Sequence, residues 1–180
     1  MTERAASILI VDDEDMVLSS LRGLFMLQTN YQVLEADDPR KALEDLSRTR
    51  VDLVISDFLM PQMNGIEFLK EVKKVQPETI RVLLTGYADK ENAIKAINEV
   101  GLYHYLEKPW DNEALLSIVR NGLKEKSLRK MLSEKVKELD SLASRHQAFS
   151  RRVSTGGRSI RCAGPQARAL ARRIGGSPVA

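Results

Sequence analysis

The chain has 180 residues, a formal net charge of +3 and one cysteine, Cys162, which excludes an internal disulfide framework and a cysteine-rich metal site. Residues 1–120 carry 14 Lys/Arg against 21 Asp/Glu, residues 121–140 carry 6 against 4, and residues 141–180 carry eight Arg and no acid. The positive sum therefore belongs to the end of the chain, and the acidic body argues against a nucleic-acid-binding fold.

Short apolar runs alternate with amphipathic segments through the first 120 residues. The runs are typical of strands buried on both faces, and apolar residues spaced by three and four indicate helices. Asp38 before Pro39, Asp89 and Asp111 are typical helix caps. In chain order the predicted elements are strand 7–11, helix 14–27, strand 31–34, helix 39–49, strand 51–56, helix 64–75, strand 80–84, a helix from Asp89 to Val100, strand 103–106 and a helix from Asp111.

Five strand–helix pairs predict the fold class. The expected architecture is α/β, a doubly wound (βα)5 parallel five-stranded sheet with helices on both faces. In such folds the functional side chains gather beyond the carboxyl ends of the strands, near the switch point of the strand order. The residues that follow the strands are therefore the candidates for chemistry.

Four predicted strands end in polar residues: Asp12 and Asp13, then Asp57, then Thr85, then Lys108. Three carboxylates at one edge repel each other unless a cation neutralises them, and such oxygen ligands suit Mg²⁺. A carboxylate beside Mg²⁺, a lysine and a hydroxyl is equipped to attack phosphorus and form an aspartyl-phosphate. We expect Asp57 to be the nucleophile, since it stands alone, and Asp12 and Asp13 to bind the metal.

The acids at the strand ends have other interpretations. Each acid taken alone fits a helix cap or a turn, but four polar strand ends together favour a site. A haloacid-dehalogenase-like phosphatase needs a second acid two residues after the nucleophile, and that position is Leu59. A nucleotide or flavin module is disfavoured because an acidic turn follows the first strand and no glycine-rich phosphate loop is present.

Several motifs of the chain resemble the receiver domain of bacterial two-component response regulators. The resemblance covers about residues 5–125, and the motifs occur in order at the spacing of that family. They are residues 8–14 (ILIVDDE), 56–61 (SDFLMP) with Asn64 and Gly65, 84–86 (LTG) and 107–109 (EKP). The resemblance implies a flavodoxin-like strand order 2-1-3-4-5, and the apolar spacing of residues 112–149 predicts one extended C-terminal helix after it.

The resemblance also implies a phosphoacceptor and a metal site. Asp57 would accept a phosphoryl group from a sensor histidine kinase or phosphotransfer protein, as one step of a phosphorelay. Asp12 and Asp13, with Asp57 and the backbone carbonyl of Leu59, would bind Mg²⁺. The chain would be a signalling phosphoacceptor and not an enzyme, with weak self-catalysed phosphotransfer and dephosphorylation at most.

The same resemblance implies a switch. Thr85 would be the switch hydroxyl, Lys108 the phosphate-binding lysine and Tyr105 the switch aromatic. Phosphorylation would reshape the face formed by the fourth helix, the fifth strand and the following helix, and we expect the change to pass into the continuous C-terminal helix. In this family the Lys-Pro bond at 108–109 is usually cis.

The predicted organisation has three parts: a receiver domain at 1–123, an extended amphipathic, coiled-coil-like helix at 124–149, and a basic, disordered tail at 150–180. The helix carries an apolar stripe that it cannot bury alone, so we expect a homodimer through it. The stripe comprises Leu128, Leu132, Val136, Leu139, Leu142 and Phe149.

The output stays open at the level of sequence. The chain is a stand-alone phosphorelay protein, a DNA-directed or enzymatic regulator whose output domain is absent, or a receiver-like binding module that is not phosphorylated. The tail is either a basic arm for nucleic acid or an acidic partner, or a truncated or out-of-frame end. No signal peptide or transmembrane run is present, so the expected location is the cytoplasm, with no membrane partner.

Overall fold

A computed structural model of the chain describes residues 5–86 and 100–156. Five strands and four helices occupy those ranges. In chain order they are β1 Ser7–Val11, α1 Asp15–Gln28, β2 Gln32–Ala36, α2 Pro39–Arg48, β3 Leu53–Asp57, α3 Gly65–Val75, β4 Ile80–Thr85, β5 His104–Glu107 and α4 Asn112–Gly156. Most predicted bounds agree within two residues; the helix predicted from Asp89 lies outside the described residues, apart from the buried Val100.

The five strands form one parallel sheet in the order β2-β1-β3-β4-β5. The expected α/β architecture and strand order are confirmed. The chain passes from β1 outward to β2 and then returns to the other side of β1 as β3. This reversal makes the carboxyl ends of β1 and β3 the switch point, where open α/β sheets bind ligands.

Alternating side chains of the central strands fill two cores, one on each face of the sheet. In β1, Leu9 and Val11 pack with α2 and α3, whereas Ile8 and Ile10 pack with α1 and α4. All five residues of β1 and of β3 are buried, which explains why the sequences of both strands are mostly apolar. The layered fold fixes the strand ends that carry the polar residues.

Side-chain caps mark the start of three helices. The Asp38 carboxylate accepts a hydrogen bond from the backbone N–H of Arg40 at the start of α2. Asn64 and Glu67 form a reciprocal capping box at the start of α3. Asp111 accepts from the Ala114 N–H at the start of α4. These caps begin each helix within the loops that surround the carboxyl edge of the sheet.

The chain divides into two compact units, residues 1–132 and 133–180. The first unit contains the sheet. In the second, residues 133–156 are helical, and Lys135 pairs with Glu138 at 2.8 Å. The last seven residues of α4 fall in the range expected to be a tail, and residues 157–180 lie outside the described residues. Within the described ranges, no helix is long and apolar enough to cross a membrane.

Candidate functional site

Three aspartates meet at the carboxyl edge of β1 and β3. Asp12 and Asp13 follow β1, and Asp57 is the last residue of β3. One carboxylate oxygen from each lies within 4.8 Å of the other two. Asp12 and Asp57 are buried, whereas Asp13 is exposed. The spacing of oxygen atoms would allow all three to reach a single cation.

Two turns of the same type orient two of these carboxylates. The N–H of Glu14 donates to Asp12 Oδ1 at 2.9 Å, and the N–H of Leu59 donates to Asp57 Oδ2 at 3.1 Å. An aspartate that accepts from the backbone two residues further on forms an Asx turn, a common way for a strand to end. The turns hold both carboxylates in place before any ligand binds.

Lys108 reaches across the sheet to the same carboxylates. Its ammonium lies 2.7 Å from Asp57 Oδ1, 3.0 Å from Asp12 Oδ2 and 3.8 Å from a Glu14 carboxylate oxygen. The Lys108 N–H donates to the carbonyl of Thr85 at 2.9 Å, which fixes the loop after β5. The peptide bond between Lys108 and Pro109 is cis, as expected.

Burial and charge act in opposite directions on these groups. Burial raises the pKa of the Asp12 carboxyl above its ordinary value, against the lowering effect of the Glu14 amide and of Lys108. Burial also works to lower the pKa of the Lys108 ammonium, but its hydrogen bonds to Asp57 and Asp12 outweigh this, and the pKa lies above its ordinary value. Lys108 therefore stays charged throughout the neutral range.

The donor set fits a hard divalent cation. The cluster holds three aspartate carboxylates, and the Lys108 ammonium pairs with two of them, Asp12 and Asp57, so acidic groups outnumber the basic one. Carboxylate oxygens on one side, with the exposed Asp13 facing solvent, are the kind of site in which Mg²⁺ retains several waters. The raised pKa of Asp12 indicates that its charged form lacks full compensation from the protein alone.

The residues expected to form the switch hydroxyl and the switch aromatic lie on β4 and β5. Thr85 ends β4, the strand next to β3, and is fully buried; its hydroxyl donates to the Gly86 carbonyl at 3.1 Å. Tyr105 lies opposite Leu83 in the β4–β5 register and packs, partly buried, against the core on the α2–α3 face. The roles of both residues remain predictions.

Two residues outside the predicted set also shape the site. Glu14 orients Asp12 through its N–H and brings a further carboxylate near Lys108. Gly65, known only as part of a motif, is where α3 begins against the end of β3; a Cβ there would overlap the Asp57 carbonyl oxygen and lie 2.9 Å from Leu83 Cδ1. The role of Glu14 could have been predicted, because an aspartate at the end of a strand often accepts from the N–H two residues later. The role of Gly65 is visible only in the packing of α3 on β3.

Known proteins match this chain over its first two thirds. The family model described as the response regulator receiver domain matches residues 8–120. The hydrogenase transcriptional regulatory protein HoxA of Cupriavidus necator is 36% identical over 129 residues, which are 72% of this chain and 26% of HoxA. The regulatory protein AtoC of Escherichia coli K12 is 38% identical over 123 residues, 68% of this chain and 26% of AtoC.

Solved structures give the same match. A response regulator receiver domain protein from Clostridium thermocellum superposes with a TM-score of 0.65 at 34% identity, covering 68% of this chain and 98% of that one. The chain thus spans nearly all of that solved receiver domain but only about a quarter of the length of HoxA and AtoC.

Proposed function

The chain belongs to the family of response regulator receiver domains of two-component systems, and on this premise we propose that Asp57 accepts a phosphoryl group from a phosphohistidine. The donor is a sensor histidine kinase or a phosphotransfer protein. The observation that carries the proposal is the pairing of the buried Asp57 carboxylate with Lys108 at 2.7 Å, beside Asp12 and Asp13.

In this step the phosphoryl group passes from the imidazole of the donor to the carboxylate of Asp57. A carboxylate oxygen of Asp57 forms a bond to phosphorus, the bond between phosphorus and the imidazole nitrogen of the donor breaks, and that nitrogen keeps the electron pair. Lys108 binds a phosphoryl oxygen and offsets the charge that spreads over the equatorial oxygens. Mg²⁺, held by Asp12, Asp13, Asp57 and the Leu59 carbonyl, would supply further positive charge for those oxygens.

The phosphorylated state then differs from the free state through Thr85 and Tyr105. The Thr85 hydroxyl gives up its bond to the Gly86 carbonyl and donates to a phosphoryl oxygen, and Tyr105 rotates toward the space that Thr85 leaves. A ligand shifts a two-state equilibrium only through different contacts in the two states, and this hydroxyl supplies such a contact. In this role the chain is a switch and not an enzyme that turns over substrate.

The output we propose is association of two copies through α4. The helix exposes large apolar side chains at a spacing of three and four, which an isolated helix in water cannot bury. Exposed fractions reach 67% at Leu132 and 64% at Leu139. The exposed apolar residues of α4 are Leu128, Met131, Leu132, Val136, Leu139 and Leu142.

A second proposal concerns a longer protein. HoxA is named a transcriptional regulatory protein, and this chain spans about a quarter of its length. The receiver domain would then be the input part of a regulator whose output acts on DNA. Binding of the 180-residue chain to DNA at physiological salt would favour a role for its basic end, and no binding would leave protein association as its output.

The experiment that tests phosphoryl acceptance compares wild type with Asp57→Asn. Both are incubated with acetyl phosphate and Mg²⁺, and intact mass is measured. Wild type should gain one phosphoryl group and Asp57→Asn none, because an amide is not a nucleophile of this kind. Asp45→Asn, a change at an exposed aspartate of α2, is the matched control and should be modified like wild type. Equal modification of Asp57→Asn would refute the assignment.

A further inference from the structure

A second lysine, Lys126, is hydrogen-bonded at the amino edge of the sheet, opposite the carboxyl edge that carries Asp57. Lys126 of α4 extends its ammonium to the start of β3, 2.9 Å from Asp52 Oδ1 and 3.3 Å from the carbonyl oxygens of Val51 and Asp52. The Lys126 side chain is only 20% exposed. These three residues are called the Lys126 junction below; three acceptors in a partly shielded position distinguish it from an ordinary surface ion pair.

The junction is tied to the strands beside β3. The Ser7 N–H of β1 donates to Asp52 Oδ2 at 3.0 Å, and the Asp52 N–H donates to the Ser7 carbonyl at 2.8 Å. From the β4 side, the Ile80 N–H donates to the Asp52 carbonyl at 3.0 Å. Lys126 is therefore bonded to a point where the amino ends of three central strands are already linked.

Lys126 also continues the face of α4 that packs on the sheet. Leu115, Val119, Gly122 and Lys126 follow one another at spacings of four, three and four, which puts them on one side of a helix. Leu115 and Val119 are fully buried. At Gly122 the helix comes so close that a Cβ would lie 3.0 Å from Ile80 and 3.1 Å from the Tyr103 ring. Lys126 adds a polar contact to this face about one turn beyond Gly122.

The exposed apolar residues lie on another side of the same helix. At 100° per residue, Leu128 and Leu132 are turned well away from Lys126, and they are 53% and 67% exposed. While Lys126 holds its face on the sheet, these leucines cannot roll inward to pack on the same domain. Within the described residues they are left uncovered, and the charges of both signs on residues 121–140 suit a second copy of the helix as their partner.

We propose that the Lys126 junction is a positioning element, which fixes the rotation of α4 on the receiver sheet and turns Leu128 and Leu132 outward to meet a second copy of the chain. The inference rests on the homodimer proposed above and deepens it. Asp52 directly precedes β3 and Asp57 ends it, so the two residues are roughly 16 Å apart. A change at Lys126 therefore leaves phosphoryl acceptance at Asp57 intact while it alters the helix.

The test uses the full chain with Lys126→Met, which keeps the length of the stem and removes the charge, and Lys126→Arg, which keeps the charge. Lys130→Met is the matched control, because Lys130 is an exposed lysine of the same helix. Amide hydrogen exchange of residues 124–132 should be about tenfold faster in Lys126→Met, as expected for the loss of a charge-assisted hydrogen bond. Lys126→Arg and Lys130→Met should resemble wild type.

Association is followed by light scattering, with and without beryllofluoride and Mg²⁺, and modification by intact mass with acetyl phosphate. The expected result is normal modification of Lys126→Met with dimer formation weakened about tenfold or more. If Lys126→Met dimerises as tightly as wild type, or if its amide exchange is no faster than in Lys130→Met, the positioning role of the Lys126 junction is wrong and the homodimer proposal stands. A wild-type protein that stays monomeric in both conditions overturns the homodimer and the positioning role of Lys126 together. Its modification by acetyl phosphate still tests phosphoryl acceptance at Asp57 separately.

Discussion

At the level of single residues, Asp12 shows how the site stores an unbalanced charge. Its carboxyl is fully buried, accepts a bond from the Glu14 amide and pairs with Lys108, yet burial still raises its pKa. A carboxyl with a higher pKa in the folded than in the unfolded state destabilises the fold once pH rises above its unfolded value. Without a cation, the ionised Asp12 therefore lowers stability at neutral pH.

The substitution Asp12→Asn tests this reasoning. Asparagine keeps an oxygen for the Glu14 N–H and removes the buried charge, so in EDTA at neutral pH we expect the melting temperature to rise by about 3 °C. Differential scanning calorimetry measures the change.

Asp13→Asn is the matched control for that measurement. Asp13 is exposed, so its charge is already solvated and the melting temperature should move much less. Both substitutions should weaken the stabilisation that added Mg²⁺ gives, because each removes one candidate ligand. A lower melting temperature for Asp12→Asn in EDTA would contradict the account of a strained charge.

At the level of elements, two glycines at helix positions have opposite roles. Gly65 begins α3 where the helix touches the end of β3, and a side chain there would collide with the Asp57 carbonyl oxygen. Gly23 lies inside α1, and a Cβ there would have no atom within 4 Å. The first glycine permits a contact that positions the site, whereas the second has no steric reason to be glycine.

The pair Gly65→Ala and Gly23→Ala tests this difference with one chemical change. Gly65→Ala should lower the free energy of unfolding by about 3 kcal/mol, because α3 must move off the strand end. Gly23→Ala should raise it by about 0.5–1 kcal/mol, since alanine is the better helix former. Urea unfolding measures both.

Gly65→Ala should also disturb the site that its contact supports. The shift of α3 acts on the Asp57 carbonyl, so modification by acetyl phosphate should slow, whereas Gly23→Ala should be modified like wild type. A Gly65→Ala protein as stable as wild type would show that the strand end accommodates the methyl group and would remove this explanation.

At the level of the whole molecule, charge and exposure divide along the chain. The acidic first 120 residues contain the three aspartates that gather at one edge of the sheet. The exposed large apolar residues of α4 lie beyond Lys126, where residues 121–140 carry charges of both signs. This division of charge and exposure supports the proposed association of two copies through α4.

The homodimer is tested by Leu139→Gln. Leu139 is 64% exposed, so the change should leave the receiver domain folded, but it removes two apolar side chains from a symmetric seam. We expect dimer dissociation constants at least about tenfold higher, measured by analytical ultracentrifugation. Ser141→Gln, an exposed neutral position of the same helix, should leave association unchanged. Equal effects of the two substitutions would argue against a seam on this side.

Much of the fold and site could be read from sequence because it depends on local patterns. Buried parallel strands are continuous apolar runs, and the caps Asp38 and Asn64 mark the starts of α2 and α3. Once the strands are parallel, their carboxyl ends must share an edge, so the meeting of Asp12, Asp13, Asp57 and Lys108 follows from the order of elements.

Only the tertiary structure decided the contacts between distant parts of the chain. Lys126 reads as one more charge on an amphipathic helix, yet it bonds to Asp52, 74 residues earlier. Gly65 reads as a helix start, yet its missing side chain is what lets α3 rest on β3. Periodicity determines which face of an element is apolar, but the distance and rotation at which two elements pack depend on side chains from both, and those set where Asp57 and α4 are held.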